Sequence, residues 1–198
     1  MLGILTYFHI RCGSCAPAER ELPSLATFFT SLLRLAMNLL ALSALERQYA
    51  VEQLLARYVQ CIDDDRLEEW PDFFVEQCDY RIVAQENAER GLPLAALSCD
   101  SRGMLIDRVV SLRHANIYER HRYRHVVSST LLGAVCADSV QARSHYAVFR
   151  TRTNGVSEVY SVGTYDDDIV SVDGVLLFRR KCVTFDTNRI DSLLVTPL

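Results

Sequence analysis

The chain has 198 residues, of which 49% are hydrophobic and 23% charged, enough apolar mass for one compact domain with a real core. Its formal net charge is −4, so the basic surface that would neutralise nucleic-acid phosphates is missing and nucleic acid is excluded as a partner. The seven cysteines are an odd number in a chain too long to need a disulfide frame, which reads as free thiols in a reducing cytoplasm.

Residues 1–36 differ from the rest. Leu2–Ile10 and Leu25–Ala36 are apolar runs around a loop-like stretch with Pro17 and Pro23. Arg11 follows the first run instead of preceding it, unlike a secretory signal, and neither run reaches the ~20 residues that span a bilayer. The stretch is expected to be an appendage that adds little to a domain spanning 37–198, with a partner-binding helix around Leu25–Leu35 as the sharper option. Cys12 and Cys15 have C-x-x-C spacing, but no second ligand pair lies close enough in sequence to complete a zinc site.

From Leu42 the apolar residues Leu45, Tyr49, Leu55, Tyr58, Val59 and Ile62 recur at helical spacing. Asp63, Asp64 and Asp65 end that helix, and an aspartate here is expected to cap a second helix over RLEEWPDFF, limited by Pro71. The triple lacks the glycine and distal glutamate of a calcium loop. Cys78–Val83 alternates as a short strand, and a polar loop follows through Pro93. Asp100 or Ser101 then caps a helix carrying Met104, Leu105, Val109 and Leu112.

Residues 116–125, NIYERHRYRH, hold Arg120, Arg122, Arg124, His121 and His125. In a strand the arginines share one face, with Tyr123 and the histidines on the other. Such a cationic edge suits carboxylates, from this chain (Asp107, or Asp166 to Asp168) or from a partner. Strands are expected near 123–136, 140–152, 156–170 and 175–187. They are separated by the turn sequences Ala137-Asp138-Ser139, Thr153-Asn154-Gly155 and Asp173-Gly174. Helices first and long strands afterwards give α+β, with N-terminal helices packed on a curved antiparallel sheet.

No cysteine is followed by histidine at the spacings of a Rieske ligand set, and there is no nucleotide-binding glycine motif. His121 and His125 sit among arginines, whose charge opposes a metal cation. An acid–base pocket drawing on Asp64, Asp65, Tyr80, His125 and His145 is the alternative chemistry, set against capping and structural roles for the same residues.

The stretches DDDRLEEWPDFFVEQCDYRI at 63–82, DSRGMLIDRVVSLRHANIYERHRYRH at 100–125, SHYAVFRTR at 144–152 and the closing LFRRKCVTFDTNRIDSLLVTPL resemble the small (β) subunits of aromatic-ring-hydroxylating dioxygenases. Within that family they resemble most the terephthalate 1,2-dioxygenase group. The resemblance covers roughly 38–198 and implies the nuclear-transport-factor-like cone fold. It implies a chain without a catalytic centre, bracing a large subunit in an α3β3 assembly. The Rieske [2Fe–2S] cluster and mononuclear Fe(II) would be on that subunit, supplied with electrons from NAD(P)H through a reductase. Arg120, Arg122, Arg124, His125, Arg150 and Arg152 are then the candidate interface or structural residues. Ile117 and Tyr118 stand where many family members have tryptophan and proline. The rival is a stand-alone dehydratase or isomerase of the same fold using an Asp–His pair.

Overall fold

The computed structural model describes residue 39 and residues 41–136, 138–187, 194 and 196–198. The expectations for residues 1–36, including the Cys12–Cys15 pair, lie outside the described residues.

Helix α1, Ala44–Asp63, starts in a capping box: the Glu46 N–H donates to Ser43 Oγ, and the Glu46 carboxylate accepts from the Ser43 N–H at 2.9 Å. Its buried side is Val51, Leu54, Leu55, Tyr58, Val59 and Ile62. Leu45 and Tyr49, expected on that stripe, are exposed. At about 100° per residue Tyr49 lies on the opposite side of the helix from Val51. Asp64 is the C-cap of α1, and Asp65 follows with φ +59°, so neither caps a following helix. The expected second helix reduces to one 3-10 turn, Trp70–Phe73, because Pro71 supplies no N–H and the chain becomes extended at Phe74.

Strand β1 runs Phe74–Ala84, longer than its alternating centre suggested. The short helix α2, Gln85–Glu89, and strand β2, Leu97–Cys99, interrupt the expected polar loop. Helix α3, Arg102–His114, is capped by Ser101 Oγ and buries Leu105, Val109 and Leu112. Strands β3 (His121–Val135), β4 (Ser139–Arg152), β5 (Ser157–Val172) and β6 (Val175–Phe185) then form an antiparallel meander. Asp173 and Gly174 both take positive φ, the two-residue turn that joins strongly twisted strands.

The sheet order is β2-β1-β6-β5-β4-β3. It is mixed, where a purely antiparallel sheet was expected: β1 lies parallel to β6, with Tyr80 opposite Lys181. The long excursion through α3 and the meander separates the two strands in sequence and returns the chain in the same direction. Register shifts in β1, β3 and at the β4–β5 and β5–β6 pairings mark bulges, which bend strands and increase twist. Gly163 is required by close approach, since a Cβ there would overlap the Thr184 carbonyl oxygen. The helices bury their apolar sides against one face, where Tyr58, Trp70, Phe74, Tyr80 and Phe178 meet mostly edge to face.

Candidate functional site

Strand alternation does to the arginine segment what the sequence predicts. Arg122 and Arg124 are exposed, while Tyr123 and His125 are buried on the helix-covered face. His121, Tyr123 and His125 form a ring ladder on that side, with centroids 4.6 and 6.3 Å apart.

The acidic partner of His125 is Asp63, the last residue of α1. Asp63 Oδ1 lies 2.6 Å from His125 Nδ1, and Oδ2 accepts the His125 backbone N–H at 2.9 Å. Both side chains are almost wholly buried. The sequence reading had offered Asp64 and Asp65. Asp65 instead receives Arg113 of α3 at 2.8 Å, and Arg113 also holds Glu68 at 2.8 Å. Asp63 was legible in principle: it lies four residues after Val59, on the buried stripe.

The remaining acid–base candidates do not converge on His125. His145 is exposed on the other face of β4. Tyr80 is fully buried on β1 and binds the backbone of Leu198, accepting its N–H at 3.0 Å and donating to its carbonyl oxygen at 3.1 Å. Tyr58 donates to the same oxygen at 2.9 Å. Burial pushes both phenols up from their ordinary range. His125 Nε2 is buried without a hydrogen-bond partner among the described residues, as are Ser144 Oγ and Tyr165 Oη.

Arg150 and Arg152 are engaged within the chain. Arg150, itself buried, donates twice to Glu158 Oε1, at 2.9 and 2.6 Å, and its guanidinium lies 4.7 Å from the Tyr160 ring centroid. Arg152 Nε reaches the same oxygen at 3.0 Å. The hydrogen bonds from Arg150, then Arg152, hold the Glu158 carboxyl below its usual value. Asp166, Asp167 and Asp168 were candidates to answer the arginine edge, and they answer other cations. Their partners are Arg143 at 3.6 Å, Lys181 at 3.1 Å and Arg179 at 2.8 Å. Arg120 and Arg122 are exposed with no ion pair among the described residues, and Arg124 is only within 4.0 Å of Asp63.

Sequence reading missed the Lys181–Asp167 pair altogether. Lys181 Nζ sits 3.1 Å from both Asp167 oxygens and 3.7 Å from the Tyr165 ring centroid, with both side chains fully buried. Desolvation raises the Asp167 carboxyl to about 6 against the pull of Lys181, and lowers the Lys181 ammonium. Such a pair suits a fixed internal strut more than a proton relay, since each charge is neutralised in place.

Among the described residues no three His, Cys, Asp or Glu side chains gather as a metal site, and Cys61, Cys78, Cys99, Cys136 and Cys182 are free thiols. No helix among them is long and apolar enough to cross a membrane.

The sequence profile of the SnoaL-like domain matches residues 43–181. The anthranilate 1,2-dioxygenase small subunit of Burkholderia cepacia is 45% identical over 150 residues, 76% of this chain and 93% of that protein. A terephthalate 1,2-dioxygenase terminal oxygenase component subunit beta 1 from Comamonas sp. is 36% identical over 143 residues, 72% of this chain and 93% of the relative. Among solved structures, a beta subunit from Novosphingobium aromaticivorans classed with the aromatic-ring-hydroxylating dioxygenases superposes with TM-score 0.73 at 42% identity. That match covers 78% of this chain and 99% of the other.

Proposed function

Because the chain belongs to the SnoaL-like domain family and, within it, to the small subunits of aromatic-ring-hydroxylating dioxygenases, we propose that it is a structural, non-catalytic subunit of a terminal oxygenase in the cytoplasm. The observation that carries this reading is the 45% identity to one such small subunit along nearly its whole length. The geometry is compatible with it: Tyr80 is spent on the Leu198 backbone, His145 lies outside, and Asp63 fastens His125 to α1. In this assignment a large subunit carries the Rieske [2Fe–2S] cluster and the Fe(II), NAD(P)H supplies electrons through a reductase, and the assembly is α3β3.

The substrate is an aromatic acid. Anthranilate and terephthalate both present a carboxylated ring, and the identity of 45% against 36% shifts the weight from terephthalate toward an aminobenzoate.

The outer sheet face around the arginine edge is the surface assigned to the large subunit. In register, Val126, Ala147 and Val162 form one row across β3, β4 and β5, and Arg124, Phe149 and Val159 form the next. Val126, Phe149, Val159 and Val162 are all exposed. An apolar strip beside Arg122, which has no ion pair among the described residues, and Arg124, whose nearest carboxylate there is Asp63 at 4.0 Å, matches an interface with an acidic, partly apolar partner. Co-expression with the large subunit tests this. Arg122→Glu with Arg124→Glu should leave the isolated chain folded and weaken the complex at least tenfold. Unchanged assembly refutes the surface, and ring oxidation by the isolated chain refutes the non-catalytic assignment.

One observation favours the acid–base alternative, a dehydratase or isomerase: a carboxylate-held imidazole whose Nε2 is buried with no hydrogen-bond partner among the described residues. Turnover of a hydroxy or carbonyl substrate by the isolated chain, lost in His125→Gln, would establish it.

A further inference from the structure

The way the chain holds Leu198 differs from ordinary core packing. Leu194, Thr196, Pro197 and Leu198 belong to no helix or strand, yet Leu194, Pro197 and Leu198 are buried, Leu198 to 1% exposure. A backbone amide that deep normally finds its partners in a helix or ladder. Here the amide and carbonyl of Leu198 are met by side chains instead: the phenol of Tyr58 from α1 and the phenol of Tyr80 from β1. Farther back, Arg108 of α3 donates to the Leu194 carbonyl oxygen at 2.6 Å.

The two phenols are part of a wall that is built without the segment. Tyr58 packs edge-on against Phe73, Phe74 and Phe178, and Tyr80 against Trp70 and Phe74, all within 5.2 to 6.3 Å between ring centroids. These rings come from α1, the 3-10 turn, β1 and β6, which contact one another directly. Two preset hydroxyls over an aromatic floor, with a leucine lodged against them, have the form of a binding site with a ligand in place.

We propose that Tyr58, Tyr80 and the surrounding rings form a pocket for a small apolar carboxylate, which the chain fills with its own Leu198 as a displaceable internal ligand. The ligand class follows from the atoms now held. Two O–H donors converge on one oxygen of Leu198, and a carboxylate oxygen accepts from such a pair in charge-assisted bonds. The space beyond takes a branched four-carbon side chain, so 4-methylpentanoate reproduces both features and benzoate replaces the side chain with a ring. The inference does not depend on the subunit assignment.

Hydrogen–deuterium exchange of the full chain, read for residues 194–198 and separately for β1 and β6, tests it. The Leu198 amide should exchange more slowly than in Tyr80→Phe, which lacks its acceptor. Millimolar 4-methylpentanoate or benzoate should speed exchange of residues 194–198 at least tenfold while β1 and β6 stay protected. Tyr58→Phe combined with Tyr80→Phe should abolish that acceleration. Leu198→Ala, which loosens the internal ligand but keeps the wall, should respond at roughly tenfold lower probe concentration. Exchange that neither probe changes in the wild type or in Leu198→Ala overturns the proposal. So does protection of residues 194–198 equal to that of β1 and β6 under every condition, which would make the segment a fixed part of the core.

Discussion

Replacing Lys181 by methionine separates the two ways in which a buried charge can be tolerated. Asp167 is left without its cation in a fully buried site. An ionised carboxylate there would be very costly, but the group has an escape, which is to bind a proton. In the wild type its value already rises from 3.8 to about 6 through desolvation. A carboxyl with a folded value above its unfolded value contributes stability that is complete below the unfolded value and is lost as pH rises toward the folded one. For Asp167 that loss amounts to roughly 3 kcal/mol between pH 4 and 6, at ~1.4 kcal/mol per pH unit. Without Lys181 the folded value moves higher still, so the loss continues past neutrality. Lys181→Met should therefore lie within ~1 kcal/mol of the wild type at pH 5. The gap should then widen by ~1.4 kcal/mol per unit above pH 6, to about 3 kcal/mol at pH 8. The double variant Lys181→Met with Asp167→Leu should be at least as stable as the wild type at pH 7, because apolar replacement of a buried ion pair is commonly neutral or stabilising by ~1–4 kcal/mol. Urea unfolding followed by circular dichroism from pH 5 to 8 measures both. A deficit in Lys181→Met that does not change with pH would show that Asp167 does not take up a proton and would refute the reasoning.

Two further outcomes follow from backbone approach and from the Asp63 contact. Gly163→Ala should lose about 3 kcal/mol or more, or fail to fold, since its Cβ meets a carbonyl oxygen, whereas Gly133→Ala meets only Gln141 side-chain and backbone atoms at 3.5 Å or beyond and should stay within ~1 kcal/mol of wild type. Thermal unfolding of the pair checks this, and equal losses would be against it. Asp63→Ala should cost ~2–4 kcal/mol by removing both bonds to His125, and Asp63→Asn about half as much; a loss below ~0.5 kcal/mol in Asp63→Ala would show that the contact is idle.

What was readable in the sequence, and what was not, divides along local and long-range physics. Asp173-Gly174 announces its hairpin because positive φ at two successive residues is a local requirement. The opposite facing of Arg124 and His125 follows from parity alone. Parity fails at Lys181. It stands three residues after Phe178, so simple alternation puts the two on opposite faces. The shift at the Asp168–Ile169 pairing lets both point inward, and no residue type announces that bulge. The parallel pairing of β1 with β6, and the capture of Leu198 by Tyr58 and Tyr80, join residues a hundred or more positions apart and leave no local mark. The helix expected over RLEEWPDFF failed for a nearer reason: Pro71 and the strand beginning at Phe74 outweigh its helix-forming glutamates.

His125 and Arg124 are neighbours with separate tasks, and the edge position of β3 explains why. A fifteen-residue edge strand exposes a row of unpaired backbone groups and invites wrong pairing unless it is covered or charged. The His125 N–H points away from β4, and the Asp63 carboxylate receives it, so the end of α1 closes the edge where the strand enters the core. The same carboxylate fixes the imidazole, tying helix, strand backbone and side chain at one point. Gln48, about four turns earlier on α1, donates to the Thr130 carbonyl oxygen and secures the helix farther along β3. The arginines on the outward parity then charge the exposed face without being needed for the fold. Substitution of His125 or Asp63 should therefore register in stability, and substitution of Arg122 or Arg124 in assembly.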